Sequence, residues 1–214
     1  FLADALLKGR LEANQTVYAY GLPIRKEFSL CEHDECRARL GYKKEEKVAL
    51  LMGGGDGLLP MEEIVAKLVA LKEENLKLVV VAGKNEQLLQ KLQARFGSVP
   101  RERLELYGYR QDVPQLMSAA DILISKGGAV TAAEALATGI SYIIYKPLPG
   151  QEEGNAKFLQ EHYGALVAKN LTAVAELTQQ LLLDKPAKAE GKSFNNQTAK
   201  IASKQIVDQV LQKN

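Results

Sequence analysis

At 214 residues, with 46% hydrophobic and 25% charged residues, the chain has the composition of an ordinary soluble globular protein able to bury a sizeable core. A formal charge of +2 is too mild to indicate a nucleic-acid partner, and no apolar run approaches the roughly 20 residues of a membrane-spanning helix. The sequence opens on Phe1 without the basic, apolar and small-residue order of a secretion signal, and reads as a cytoplasmic piece of a longer chain.

Residues 1–8 (FLADALLK) carry Leu2, Leu6 and Leu7 at the spacing of one helical face, with Gly9 as a stop. Residues 16–20 predict a short strand, after which Gly21 and Pro23 in GLPIRKEF break regular structure. What precedes this break is too short for a domain. Residues 1–20 therefore read as the end of a preceding domain and residues 21–30 as a joint. Cys31 and Cys36 are the only cysteines, and with His33 between them they still lack the fourth ligand of a zinc site, because His162 is far along the chain. A reducing compartment disfavours a disulfide, so they read as incidental thiols before a charged helix over residues 34–40 that ends at Gly41.

From Lys47 strands and helices alternate regularly. Residues 47–52 (KVALLM) predict a buried strand running into Gly53-Gly54-Gly55-Asp56-Gly57. The following helix has Pro60 in its first turn, Glu62 and Glu63 near its positive end, and Ile64, Leu68 and Leu71 facing inward. Residues 78–81 form the second strand, and Asn85 caps a helix that buries Leu88, Leu92 and Phe96 and stops at Gly97. A third strand over 104–106 leads into Tyr107-Gly108-Tyr109-Arg110, and Asp112 and Pro114 open a short helix through Met117. Residues 122–124 and 142–145 are the fourth and fifth strands, on either side of a helix over 130–138. Residues 165–168 are the sixth. Amphipathic helices over 171–183 and 198–211 close the chain. Six apolar, mostly non-alternating strands separated by helices predict an α/β fold, a Rossmann-like doubly wound parallel sheet, here assigned to residues 31–195 with residues 196–214 as a terminal helix.

Three stretches carry chemistry. In MGGGDG the glycines let backbone N–H groups approach a phosphate or sugar, although a tight strand-to-helix turn also needs small residues. No Gly-Lys-Ser/Thr follows, which argues against a triphosphate-hydrolysing P-loop. Lys126-Gly127-Gly128-Ala129 enters the helix over 130–138, whose first N–H groups lack helical partners and suit a diphosphate; a leaving group held this way needs no metal. Farther along that helix, Glu134 could accept both adjacent hydroxyls of a ribose. The loop over 147–155 (PLPGQEEGN) is stiffened by two prolines and offers amide and carboxylate groups suited to a hexose.

These residues resemble a known family. ISKGGAVTAAEALATGISYIIYKPLPGQEEGNA is similar to the donor half of the diacylglycerol glycosyltransferases of family 28, meaning monogalactosyldiacylglycerol synthases and processive glucosyltransferases. LLMGGGDGLLP resembles their first Gly-rich turn, YAYGLPIRKEF their interdomain joint, and LYGYRQDVPQLMSAADILISK their uracil-side region. The resemblance runs from about Thr16 onward. It departs at Ala129, where a glycine is more usual after Lys-Pro-Gly, and at Ser141, where a proline commonly follows the helix stop.

The resemblance implies the C-terminal domain of a two-Rossmann-domain (GT-B) inverting transferase that uses UDP-galactose or UDP-glucose, with no cofactor and no metal. It implies diphosphate contacts at Gly54, Gly55 and Gly128, in a helix-start turn that Lys126, Gly127 and Ala129 complete, ribose at Glu134, uracil near Tyr109 and Arg110, and hexose at Gln151 and Glu152. The catalytic base and the lipid acceptor site are expected in an N-terminal domain outside these residues, with peripheral contact at the inner face of a membrane. On that expectation this chain binds donor without turning it over. The stripe Ile201, Ile206 and Val210 could pair two copies. A UDP-N-acetylglucosamine 2-epimerase shares the two-domain plan but would need catalytic carboxylates and histidines that the sequence does not show. A standalone nucleotide-sugar-binding module would have no need of the segment before the joint.

Overall fold

The computed structural model describes residues 22–29, 31–53 and 59–183. The helix and strand expected within residues 1–20, the Gly54-Gly55 turn and the helix over 198–211 lie outside these residues.

Six strands form one parallel sheet: β1 (Lys47–Met52), β2 (Leu76–Val81), β3 (Leu104–Tyr107), β4 (Ile122–Ser125), β5 (Ser141–Tyr145) and β6 (Leu166–Ala168). Their order is β3-β2-β1-β4-β5-β6. The chain runs outward from β1 to β3, returns to the centre, and runs outward the other way from β4. Leu50 is thus in register with Val79 on one side and Leu123 on the other. Ligands of open parallel sheets bind where the order reverses, at the carboxyl ends of the strands. Here that place lies between β1 and β4.

The helices are α1 (His33–Leu40), α2 (Met61–Val69), α3 (Glu86–Phe96), α4 (Val113–Ala119), α5 (Ala129–Thr138), α6 (Gln151–Tyr163) and α7 (Leu171–Leu183). Successive strand residues point to opposite faces, so each strand feeds two cores. Ala49, Leu51, Leu78, Val80, Ile124 and Ile143 pack under α2, α3 and α7. Leu50, Val79, Leu123 and Ile144 pack under α1, α4, α5 and α6, and the Lys26–Ser29 turn adds the buried Phe28 to that face. Burial on both faces is why these strands are continuously apolar rather than alternating. The expected doubly wound sheet is the observed one.

Local signals operate as expected in several places. The Asn85 side chain accepts the Leu88 N–H at 2.9 Å and caps α3, and Gly41 ends α1. Three expectations are corrected. Cys31 and Cys36 are joined in a disulfide with a Cα–Cα distance of 5.9 Å; the bend into α1 brings them within bridging range. The bond uses both thiols that a CEHDEC metal site would have required. β2 begins two residues earlier than expected, because Lys77 is neutralised inside the sheet by Glu105 at 3.3 Å. Finally, Gln151 to Asn155 are the first residues of α6 rather than a loop. The Glu153 carboxylate accepts the Gly150 N–H at 3.2 Å and starts that helix.

Candidate functional site

The loops at the carboxyl ends of the strands bring most of the described candidate residues to one edge. β4 is central and buried along its whole length, and Ser125 at its end bonds the Tyr142 hydroxyl of β5 at 2.6 Å. Chain direction changes at once after Ser125. Gly127 has φ +89°, and a Cβ there would stand 3.0 Å from Ile144 Cγ2, so both conformation and space require glycine. Gly128 is the N-cap of α5, and no side chain among the described residues caps this helix start. Its first N–H groups, with their partial positive charge, are thus open to an anion.

Lys126 is buried at this turn. It is 8% exposed, with Nζ 3.6 Å from Glu152 Oε1. The other Glu152 oxygen accepts the Leu148 N–H at 2.8 Å. Asn155, one turn farther into α6, donates from Nδ2 to the Gly127 carbonyl at 3.2 Å. Start of α6 and turn before α5 are thereby laced together. Gln151 is exposed and Ala129 is the first residue of α5.

Glu134 is half-buried, and among the described residues no hydrogen bond or ion pair reaches its carboxylate. Burial pushes that carboxyl up to about 7, while the charge of Arg25 pulls the other way. A partly desolvated carboxylate without donors is a site with acceptor capacity to spare.

Beyond β3, Arg110 is held rather than free. Its guanidinium stacks 4.4 Å from the Tyr107 ring centroid and makes a bidentate pair with Asp112, donating from Nε at 2.7 Å. That pair holds the Asp112 carboxyl below its usual range. Tyr107 in turn donates its hydroxyl to Glu105 at 2.6 Å. Tyr109 is 63% exposed, with Lys84 Nζ 5.7 Å over its ring. The pair Tyr109–Arg110 therefore offers one exposed ring and one fixed cation.

Two residues of the site carried no strong signal in the sequence. Asn155 was visible only as the last residue of the PLPGQEEGN loop. Arg25, ahead of the Lys26–Ser29 turn, donates to the Gln111 carbonyl at 3.2 Å. Both histidines lie on the opposite edge: His33 at the start of α1 is 3.9 Å from Asp121, which precedes β4, and His162 near the end of α6 stacks 4.6 Å from Phe158. No helix among the described residues is long and apolar enough to cross a membrane.

Known proteins resemble this chain in sequence and in fold. The model of the glycosyltransferase family 28 C-terminal domain matches residues 48–210. A processive diacylglycerol beta-glucosyltransferase of Bacillus licheniformis is 34% identical over 166 residues, 77% of this chain and 43% of the relative. A probable chloroplastic monogalactosyldiacylglycerol synthase 2 of Oryza sativa subsp. indica is 34% identical over 177 residues, 78% of this chain and 36% of the relative. The chain thus spans less than half the length of these relatives. Among solved structures, a UDP-N-acetylglucosamine 2-epimerase superposes with TM-score 0.66 at 18% identity, covering 95% of this chain and 54% of that one. Anabaena Alr3699/HepE in complex with UDP-glucose gives 0.62 at 17% identity, covering 99% and 61%. At such identities the solved structures speak for the fold, which is one half of the GT-B architecture, and it is the sequence match that separates transferase from epimerase. By that match the chain belongs to glycosyltransferase family 28, as its C-terminal domain.

Proposed function

We propose that this chain is the donor-binding domain of an inverting, UDP-sugar-dependent hexosyltransferase that moves galactose or glucose onto diacylglycerol. The diphosphate lies at Gly127, Gly128 and Ala129, with Lys126 and the Gly54-Gly55 turn adding charge and backbone donors. Glu134 accepts the two ribose hydroxyls. Uracil lies along the backbone at Tyr109 and Arg110, and Gln151 and Glu152 meet the hexose. Residues 21–30 join this domain to the one that holds the acceptor lipid at the inner face of a membrane. The base that deprotonates the acceptor hydroxyl comes from that domain, since His33 and His162 lie away from this edge.

The observation that carries this reading is Glu134. It follows the uncapped Gly128 start of α5 by six residues, about 9 Å along the axis. An anion-attracting helix start and a half-buried carboxyl with no hydrogen-bond partner among the described residues match, on one helix, the two ends of a ribose diphosphate. The names of the family's relatives favour a glycolipid product, and the HepE complex favours a UDP-linked donor.

Calorimetric titration of the chain with UDP, with ADP as control and Glu134→Ala as a second protein, tests it. Selective UDP binding that weakens at least about tenfold in the variant, the loss of two charge-assisted hydrogen bonds, is expected. Equal binding of UDP and ADP overturns the uracil assignment, and unchanged binding in the variant overturns the ribose assignment.

A further inference from the structure

The Glu152 carboxylate occupies a position with the electrostatic character of an anion site. One oxygen is 3.6 Å from the buried Lys126 ammonium, and the other accepts a backbone N–H, that of Leu148, at 2.8 Å. A Cβ on Gly128 would stand 3.7 Å from Glu152 Oε1, so the carboxylate lies directly beside the start of α5. Its own residue is in the first turn of α6. One carboxylate thus faces a cation, a backbone donor and the positive ends of two helices. Those are the groups that recognise a phosphate.

We propose that Glu152 is a built-in competitor for the diphosphate of the nucleotide donor. The inference rests on the donor-site reading above and deepens it. Lys126 and the Gly128 helix start serve one anion at a time: the Glu152 carboxylate, or the diphosphate that displaces it. A second carboxylate-sized charge cannot share this space, because two unscreened anions a few ångströms apart repel strongly in partly buried surroundings. The displaced side chain belongs to a helix that stays tethered through Asn155 and the Gly127 carbonyl, so only the Glu152 rotamer needs to change. It then turns outward among the sugar hydroxyls. Diphosphate arrival and hexose recognition become two halves of one exchange.

The test compares uridine and UDP binding to the 214-residue chain and to Glu152→Gln, with thermal melting to confirm folding. Glutamine keeps an acceptor for the Leu148 N–H and removes the competing charge. UDP is expected to bind about 3- to 10-fold more tightly to the variant while uridine changes by less than about twofold, and Lys126→Gln in the same background is expected to abolish the gain. An unchanged or weaker UDP affinity with uridine unaffected overturns the proposal and leaves the donor site standing. A parallel shift of uridine and UDP overturns it too, because the effect would not be specific to phosphate. Loss of all uridine and UDP binding by the wild-type chain removes the donor-site reading and this inference with it.

Discussion

Asn155 on α6 holds the carbonyl of Gly127 in the turn before α5, with Nδ2 3.2 Å from the oxygen. The contact fixes the one peptide whose orientation decides where the α5 N–H groups point. Asn155→Ala is expected to cost about 1 kcal/mol of folding stability and to weaken UDP binding several-fold. Urea unfolding and calorimetry on the same preparation separate the two effects. Asn155→Asp is expected to be worse for binding, since an acceptor would then face an acceptor beside a proposed diphosphate.

Gly127 itself admits no side chain. With φ at +89° and Ile144 Cγ2 3.0 Å from where a Cβ would sit, Gly127→Ala combines backbone strain with overpacking. A loss of about 2–4 kcal/mol is expected from the two together. Gly154→Ala makes the contrast, for a Cβ there meets nothing within 4 Å and it lies inside α6. That substitution is expected to be neutral or slightly stabilising in the same denaturation series.

The Glu134 carboxyl titrates in an unusual window. Burial raises it from 4.5 to about 7, so its contribution to stability is complete below its unfolded value and is lost as pH rises through about 7. Binding runs the opposite way. A carboxylate accepting two hydroxyls must be ionised, and uridine affinity is expected to rise between about pH 5.5 and 8. Glu134→Gln should flatten both profiles. A uridine affinity that stays level in the wild type over this range would remove Glu134 from the ribose.

Inside the sheet, Lys77 and Glu105 form a buried pair at 3.3 Å, and Glu105 also accepts the Tyr107 hydroxyl. Lys77→Met strands a buried carboxylate and is expected to destabilise the domain by about 3 kcal/mol. Lys77→Met with Glu105→Leu should recover much of that loss in chemical denaturation. If stacking on Tyr107 fixes Arg110, the double variant will also weaken UDP binding despite its restored stability.

Hydrophobic pattern located every described strand, because a parallel strand buried on both faces advertises itself as an apolar run, as in KVALLM over β1. Pattern failed at Lys77, whose charge is cancelled by a residue 28 positions later in sequence, a pairing that no local window contains. It failed again at Gln151, where the polar GQEEGN run reads as loop although Glu153 accepts the Gly150 N–H and begins a helix. The tight turn at Gly127 and Gly128 and the helix after it were legible because a Gly-Gly pair ahead of a helical run is a compact local signature. The Lys126–Glu152 pair was not, since it forms only when β4 and β5 lie side by side. Cys31 and Cys36 misled through an argument about compartment, where the deciding matter was a bend that brings two Cα atoms to 5.9 Å.

Phe28 is 1% exposed and sits in the core formed with α4 and α5, while Arg25, three residues earlier, holds the Gln111 carbonyl. The segment over residues 22–28 is therefore fastened to the domain at two points, Arg25 and Phe28. Force applied there is delivered as leverage on the rim between β3 and α4, beside Arg110, instead of being absorbed by slack. If residues 21–30 join two domains as proposed, that anchorage ties their relative angle to the edge where we place the nucleotide.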